Sequence, residues 1–398
     1  MKKITLIITL LVGMSIFAQK EELKTLEKTY DMSSPPSQKD IDKVNLALTS
    51  LDAMENNLTP EEKNDYNFFK GIQPLMDIFV VAMKNPNDKQ LISNALSFEK
   101  LISAADYFNK VRDYEKKTVK KIHTDDINKD IVPIVKQLVS QKAYSLNEQG
   151  KLKDASNYFY LLYNLNKEEG LNLENAAILA MQSKDYMLAQ KYYVEYKNSD
   201  YLENGTLYFA TNKLTDQEEQ MYSREDRAAK LKLGSHEKPR DQKVSESKPE
   251  VYKIVAILYA QNGDVENAKK AYKEAKKINK SDIDLLISES RLYQDGDLDT
   301  YITLLKEMIE VDPQNASLHF NVGYYSLTDD AKLVDEMNKN LDNSKVFDEL
   351  NTKRKEMFKK ALPYFEKSYQ LDPNSGNTKE LLKTSYEVLG MKDKADKL

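Results

Sequence analysis

The chain has 398 residues, a formal net charge of −5, no cysteine, no tryptophan, and only 11 glycines and 11 prolines. The missing cysteine excludes disulfides, thiolate metal sites, a cysteine nucleophile and a lipid attached to a cleavage-site cysteine. Charged residues make up 31% with acids in slight excess, so there is no basic footprint for nucleic acid. Lys, Glu, Leu, Ala and Asn dominate, a composition that favours helix, and the length suits two ordinary domains.

Met1-Lys2-Lys3 precede an apolar run from Ile4 to Phe17 that closes on Ala18-Gln19. Two lysines, a short apolar core and a small residue read as a bacterial secretory signal peptide over residues 1–18. The run is shorter than the ~20 residues a membrane span needs, and polar Lys20, Glu21 and Glu22 follow at once. An uncleaved anchor is the competing reading. Cleavage near Ala18 would remove Lys2 and Lys3 and no acid, taking the charge from −5 to −7. The expectation is a periplasmic or secreted protein, not a lipoprotein, with no integral membrane span after cleavage.

Residues 20–31 and 37–55 read as one helical hairpin. Pro35-Pro36 make its turn, and Ser37 with Asp40 signal a helix start. Residues 60–85 and 90–118 form a second, longer pair, announced by Thr59-Pro60-Glu61-Glu62. A 34-residue period then emerges. Numbered from their starts, residues 136–169 and 249–282 share a small residue at position 8 (Ala143, Ala256) and Gly at 15 (Gly150, Gly263). They also share Ala at 20 (Ala155, Ala268), an aromatic at 24 (Phe159, Tyr272) and an apolar residue at 30 (Leu165, Ile278). This is the tetratricopeptide pattern. Small residues let two helices approach, the aromatic fills the gap to the next repeat, and glycine lets the chain reverse.

Residues 170–203 continue it with Ala177, Ala189 and Tyr193, and Lys184 stands where the turn glycine would be. Residues 204–248 interrupt it. TLYFATN (206–212) alternates and is β-prone, and 218–222 pairs with it across KLTDQ; 233–248 reads as a polar surface loop. Residues 283–315 resume the repeat with Ser290, Tyr293 and Gly296, a turn one residue short, and Tyr301 in place of alanine. Residues from 316 give a further first helix with Gly323 at position 8. Its partner arrives late, at Ala361 and Phe365, after an elongated hairpin at 329–358 that turns near 340–343. Pro363 inside that helix predicts a kink. Tyr386, Gly390 and Ala395 mark a final capping helix. Short repeat helices must stack to be stable, which predicts an all-α, right-handed superhelix (an α-solenoid) with a small irregular or β-hairpin insert. The expected division is 1–18, 19–203, 204–248 and 249–398.

Chemistry-bearing motifs are absent from the sequence. His123, His236 and His319 lie far apart with no metal-ligand spacing, and His319 reads as a packing residue; no glycine-rich phosphate loop occurs. Position 6 of successive repeats reads Gln141, Asn175, Ile254, Ser288 and Asn321, so a carboxylate clamp built on consecutive asparagines is disfavoured. The inner helix face, positions 2, 5, 9, 12 and 13, offers Ile178, Met181, Ile257, Phe320 and Tyr324 beside Lys253, Gln261 and Arg291. Apolar residues in a groove suit an extended or helical peptide, and a core role is the competing reading.

The chain resembles the secreted tetratricopeptide proteins common in Bacteroidota-type bacteria. The resemblance rests on KKALPYFEKSYQLDPN (359–374), Glu336-Met337-Asn338, LHFNVGYY (318–325) and YEVLGMKDK (386–394). These motifs specify fold rather than ligand. The expectation is therefore a non-catalytic protein–protein interaction scaffold of the cell envelope, without cofactor or metal, holding a protein or peptide along its concave face. A carbohydrate- or nutrient-uptake protein built on helical repeats is the alternative. Such binders are normally lipid-anchored and rich in tryptophan, and this chain has neither cysteine nor tryptophan.

Overall fold

The structure is a computed structural model, and it describes residues 19–30 and 36–398. The expected signal peptide and Pro35 of the first turn lie outside the described residues. The chain divides into two compact units, the first ending at Glu246 and the second spanning Ser247–Leu398. Among the described residues no helix is long and apolar enough to cross a membrane.

The first unit opens with helix α1 (19–29), followed by α2 (Gln38–Asp52), α3 (Pro60–Lys84), α4 (Lys89–Ala95) and α5 (Phe98–Thr118). Both predicted starts are reciprocal capping boxes, Ser37 with Asp40 and Thr59 with Glu62, and Pro60 occupies the first turn where its missing N–H costs nothing. The second pair departs from expectation at one point. Helix 90–118 is broken at Leu96-Ser97, because Ser97 caps α5 by accepting the Lys100 N–H.

Next come α6 (Thr124–Asp126), a π turn at Ile127–Ile131 and α7 (Val132–Glu148). Pro133 has no N–H for the usual bond one turn back, which accounts for the widened turn. Then α8 (Leu152–Leu165) packs on α7, α9 (Gly170–Gln182) on α8, and α10 (Tyr186–Lys197) on α9. The second unit repeats the scheme. Its helices are α13 (Lys248–Gln261), α14 (Val265–Ile278), α15 (Ile283–Ser290), α16 (Leu298–Val311), α17 (Ala316–Tyr325), α18 (Asp330–Lys339), α19 (Ser344–Leu371), α20 (Gly376–Val388) and α21 (Lys392–Ala395).

The fold is thus an α-helical repeat array of the tetratricopeptide type. Ala155, Phe159, Ala189, Tyr193, Ala268 and Tyr272 are all buried between helices, as the period requires. Gly150 and Gly263 turn with φ +72° and +80°, and Lys184 adopts the same left-handed conformation at φ +62°. Gly323 lets α17 meet α19: a Cβ there would come within 2.7 Å of the Phe365 ring. Asn343 caps α19, placing the hairpin turn where expected, and α19 continues as one helix past Pro363, which has no N–H to donate. The first arm of the hairpin is a separate helix: α17 ends at Tyr325 and α18 starts afresh at Asp330.

After the short helix α11 (Asp200–Asn204), the insert holds β1 (Thr206–Asn212), β2 (Gln217–Met221), α12 (Arg224–Lys232) and β3 (His236–Lys243). The hairpin register pairs Tyr208 with Met221 and Asn212 with Gln217. The expected loop at 233–248 is corrected: it contains β3, which pairs antiparallel with the other edge of β1. HEKPRDQK carries no apolar alternation. Its strand is held by the β1 backbone and by Arg240, whose Nε and Nη2 donate to Glu218 at 2.8 and 2.7 Å. Pro239 is tolerated because it sits in a bulge, where Lys238 (φ +48°) and Pro239 face the single residue Ala210.

Candidate functional site

The helices α16 to α20 bring an aromatic cluster to the surface of the second unit. Tyr301 of α16 is buried and meets Tyr325 edge-on at 4.8 Å; burial, with Tyr325 beside it, pushes its hydroxyl up to about 12. Tyr325 in turn meets Tyr324 at 5.3 Å, and Tyr324 stacks on Phe320 at 5.9 Å and 18°. Phe320 and Tyr324 are one turn apart on α17, so both rings share one face. Their environments differ. Phe320 is half-buried against Phe365, with ring centroids 6.1 Å apart, whereas Tyr324 is 52% exposed.

Tyr324 borders a cavity of about 530 Å³ whose walls include Leu298, Tyr325, Leu327, Phe358 and Leu381. This size and apolar lining are typical of ligand pockets. Its carboxylate, Asp330, is held by Arg354 at 2.5 and 3.1 Å, and Gln294 donates to the Tyr325 hydroxyl at 3.1 Å. The wall therefore has an apolar floor, a phenol edge and a neutralised acid. It can receive an apolar or aromatic side chain.

The other residues expected to bind fall into two groups. Ile178 (exposed) and Met181 (half-buried) lie on α9 of the first unit, apart in the chain's organisation from the rest. In the second unit Ile257 is half-buried, and Gln261 and Arg291 are exposed. Lys253 is already engaged: its Nζ lies 2.8 Å from Glu250 and 3.1 Å from Asp282, and hydrogen bonding to Glu250 leads the effects that raise its pKa. Leu298, Leu327, Phe358 and Leu381 were missed by the sequence reading. They come from four separate segments and carry no motif.

Two carboxyls are pushed up by burial, Glu174 and Glu289. Glu289 is matched by Lys276 at 2.9 Å, and neither carboxyl lines the Tyr324 cavity. His319 is buried and its Nε2 lies 3.1 Å from the Pro313 carbonyl, a packing role as expected. Among the described residues no group of three or more histidines and acids could hold a metal ion.

No protein-family model matches the chain, and no curated protein matches it. Solved structures do. YrrB, a TPR protein with an unusual peptide-binding site, is similar at 12% identity over 67% of this chain and 98% of its own, with a TM-score of 0.32. A tetratricopeptide repeat protein from Parabacteroides merdae is similar at 14% identity over 79% and 98%, with a TM-score of 0.30. Yeast Tom70 is similar at 12% identity over 94% and 65%, with a TM-score of 0.28. Similarity this distant carries no argument about ligands, and the fold assignment rests on the helix pairing itself.

Proposed function

We propose that the chain is a non-catalytic protein-interaction module of the bacterial cell envelope whose second unit holds a peptide or protein segment beside Tyr324. The observation that carries this reading is the half-exposed Tyr324 ring, stacked on Phe320 at the rim of an apolar cavity of about 530 Å³. A large exposed aromatic beside an apolar recess loses solvent contact usefully only when something covers it, and aromatic anchors dominate interface energetics. The chemistry of the walls favours a segment that inserts one apolar or aromatic side chain and sets a hydrogen bond on the Tyr325 edge. Export is part of the proposal: the lysines and apolar run before Ala18 support a cleaved signal peptide and a periplasmic or secreted protein, with no nucleic acid among its partners.

The test compares recovery of partners from envelope extract by wild type and Tyr324→Ala, with Phe320→Ala/Tyr324→Ala as a second variant. Tyr324→Ala is the cleaner change, because Phe320 also packs on Phe365. Loss of a specific partner with an unchanged melting curve supports the reading. Equal recovery of the same proteins by all three excludes this face and moves attention to the hairpin of α18 and α19.

A further inference from the structure

A cavity of about 1160 Å³ in the first unit lies between α5, the π turn with the start of α7, the α8–α9 turn, Tyr201 of α11 and Tyr222 of the insert. Its wall holds an arginine in an unusual state. Arg112 Nε donates to Asn128 Oδ1 at 2.9 Å, and Nη1 donates to Asn109 Oδ1 at 3.0 Å. Those bonds use two of the five guanidinium N–H donors and leave three. Among the described residues no carboxylate lies within ion-pair distance of Arg112. Burial disfavours its charge and lowers its pKa from the ordinary value, while Glu168 acts on it only at longer range. Two of the other wall cations are matched: Lys136 pairs with Glu169, and Lys167 lies 3.7 Å from Glu195.

Two neutral amides therefore fix the direction of the Arg112 fork without neutralising it. One of them, Asn128, is set by the π turn, a local distortion that recurs at functional sites. Lys116 lies one helical turn beyond Arg112 on α5 and adds positive charge to the same wall. The rest of the lining carries Gln137 and Ser140 together with the carboxylates of Asp113, Glu168 and Asp200, so an anionic group belongs at the Arg112 fork and polar uncharged groups elsewhere, and the volume exceeds that of a bare ion.

We propose that this cavity binds a small polar molecule carrying an oxyanion, carboxylate or phosphate, with Arg112 as the group that grips it. The oxyanion restores the compensation that Arg112 lacks, and the planar fork suits two parallel N–H···O bonds.

The test is calorimetric titration of the full chain with sodium succinate and with inorganic phosphate, each against sodium chloride at matched ionic strength. Saturable binding of at least one is expected, weakened about tenfold by Arg112→Lys, which keeps the charge but loses the fork. Arg112→Gln is expected to abolish it. Binding of succinate alone assigns a carboxylate ligand, binding of phosphate alone a phosphorylated one, and either result upholds the site. Should Arg112→Gln fail to fold by circular dichroism, Arg112→Lys and Asn128→Ala carry the comparison. Absence of saturable binding for both anions, or binding unchanged in the folded variants, overturns the proposal. Because this cavity belongs to the first unit, its failure is independent of the Tyr324 face.

Discussion

The Glu115 carboxylate, buried near the end of α5, organises the turn that follows. It accepts N–H bonds from Ile122, His123 and Thr124 at 3.0, 2.8 and 3.0 Å, and one from Asn64 Nδ2 at 3.0 Å. Burial alone would raise its pKa, but these hydrogen bonds outweigh it and hold the carboxyl below the ordinary glutamate value. A depressed folded pKa means that the stabilisation is present above the unfolded value and lost as pH falls through the folded one. Glu115→Gln should cost about 2–3 kcal/mol at neutral pH, and the gap to wild type should close in acid; urea melts at several pH values measure both. Lys184 makes the opposite case. Its left-handed φ of +62° closes the α9–α10 turn, with Lys184 N–H bonding the Met181 carbonyl at 3.0 Å. A side chain there is strained, so Lys184→Gly should stabilise by about 0.5–1 kcal/mol, read as a higher urea midpoint. An unchanged or lower midpoint would contradict this account of the turn.

At the scale of elements, the α13–α14 hairpin depends on Ala268, whose side chain is fully buried. Ala268→Glu would place an unpaired charge in that contact and cost about 3–5 kcal/mol. Hydrogen exchange should accelerate across α13 and α14, and wild-type protection in the variant would show that the contact is not there. How much was legible follows the same contacts. Close helix approach admits few residue types, so Ala155, Ala189 and Ala268 were readable from spacing, as were the capping boxes and the pairing of β1 with β2, although Gln217 joins the strand rather than the turn and shifts the register by one. The strand β3 was not, because edge pairing through backbone and ion pairs leaves no apolar alternation in HEKPRDQK. The π turn was hidden too, since Pro133 alone reads as an ordinary helix start. Of the site, Phe320 and Tyr324 were legible as a shared helical face. Its other walls, and the Arg112 cavity entirely, join segments far apart in sequence, and only the Asn109–Arg112 spacing on α5 was a weak local sign.

On the scale of the whole molecule, the chain is two compact units, each built from helical hairpins, with the β insert closing the first. Both units carry a cavity bordered by tyrosines, and their linings differ in kind: amides and charged side chains of both signs around Arg112, mainly apolar side chains around Tyr324. A helical array needs neither cavity for its core, which is why we assign them to binding. The central claim is that the Tyr324 face is covered by a partner in the cell. Photo-crosslinking from that position tests it most directly, using a benzophenone amino acid at Tyr324 in the native host and the same group at exposed Val265 on α14 as control. The account predicts a discrete adduct from position 324, absent from position 265. No adduct from 324, or the same adducts from both positions, would contradict it.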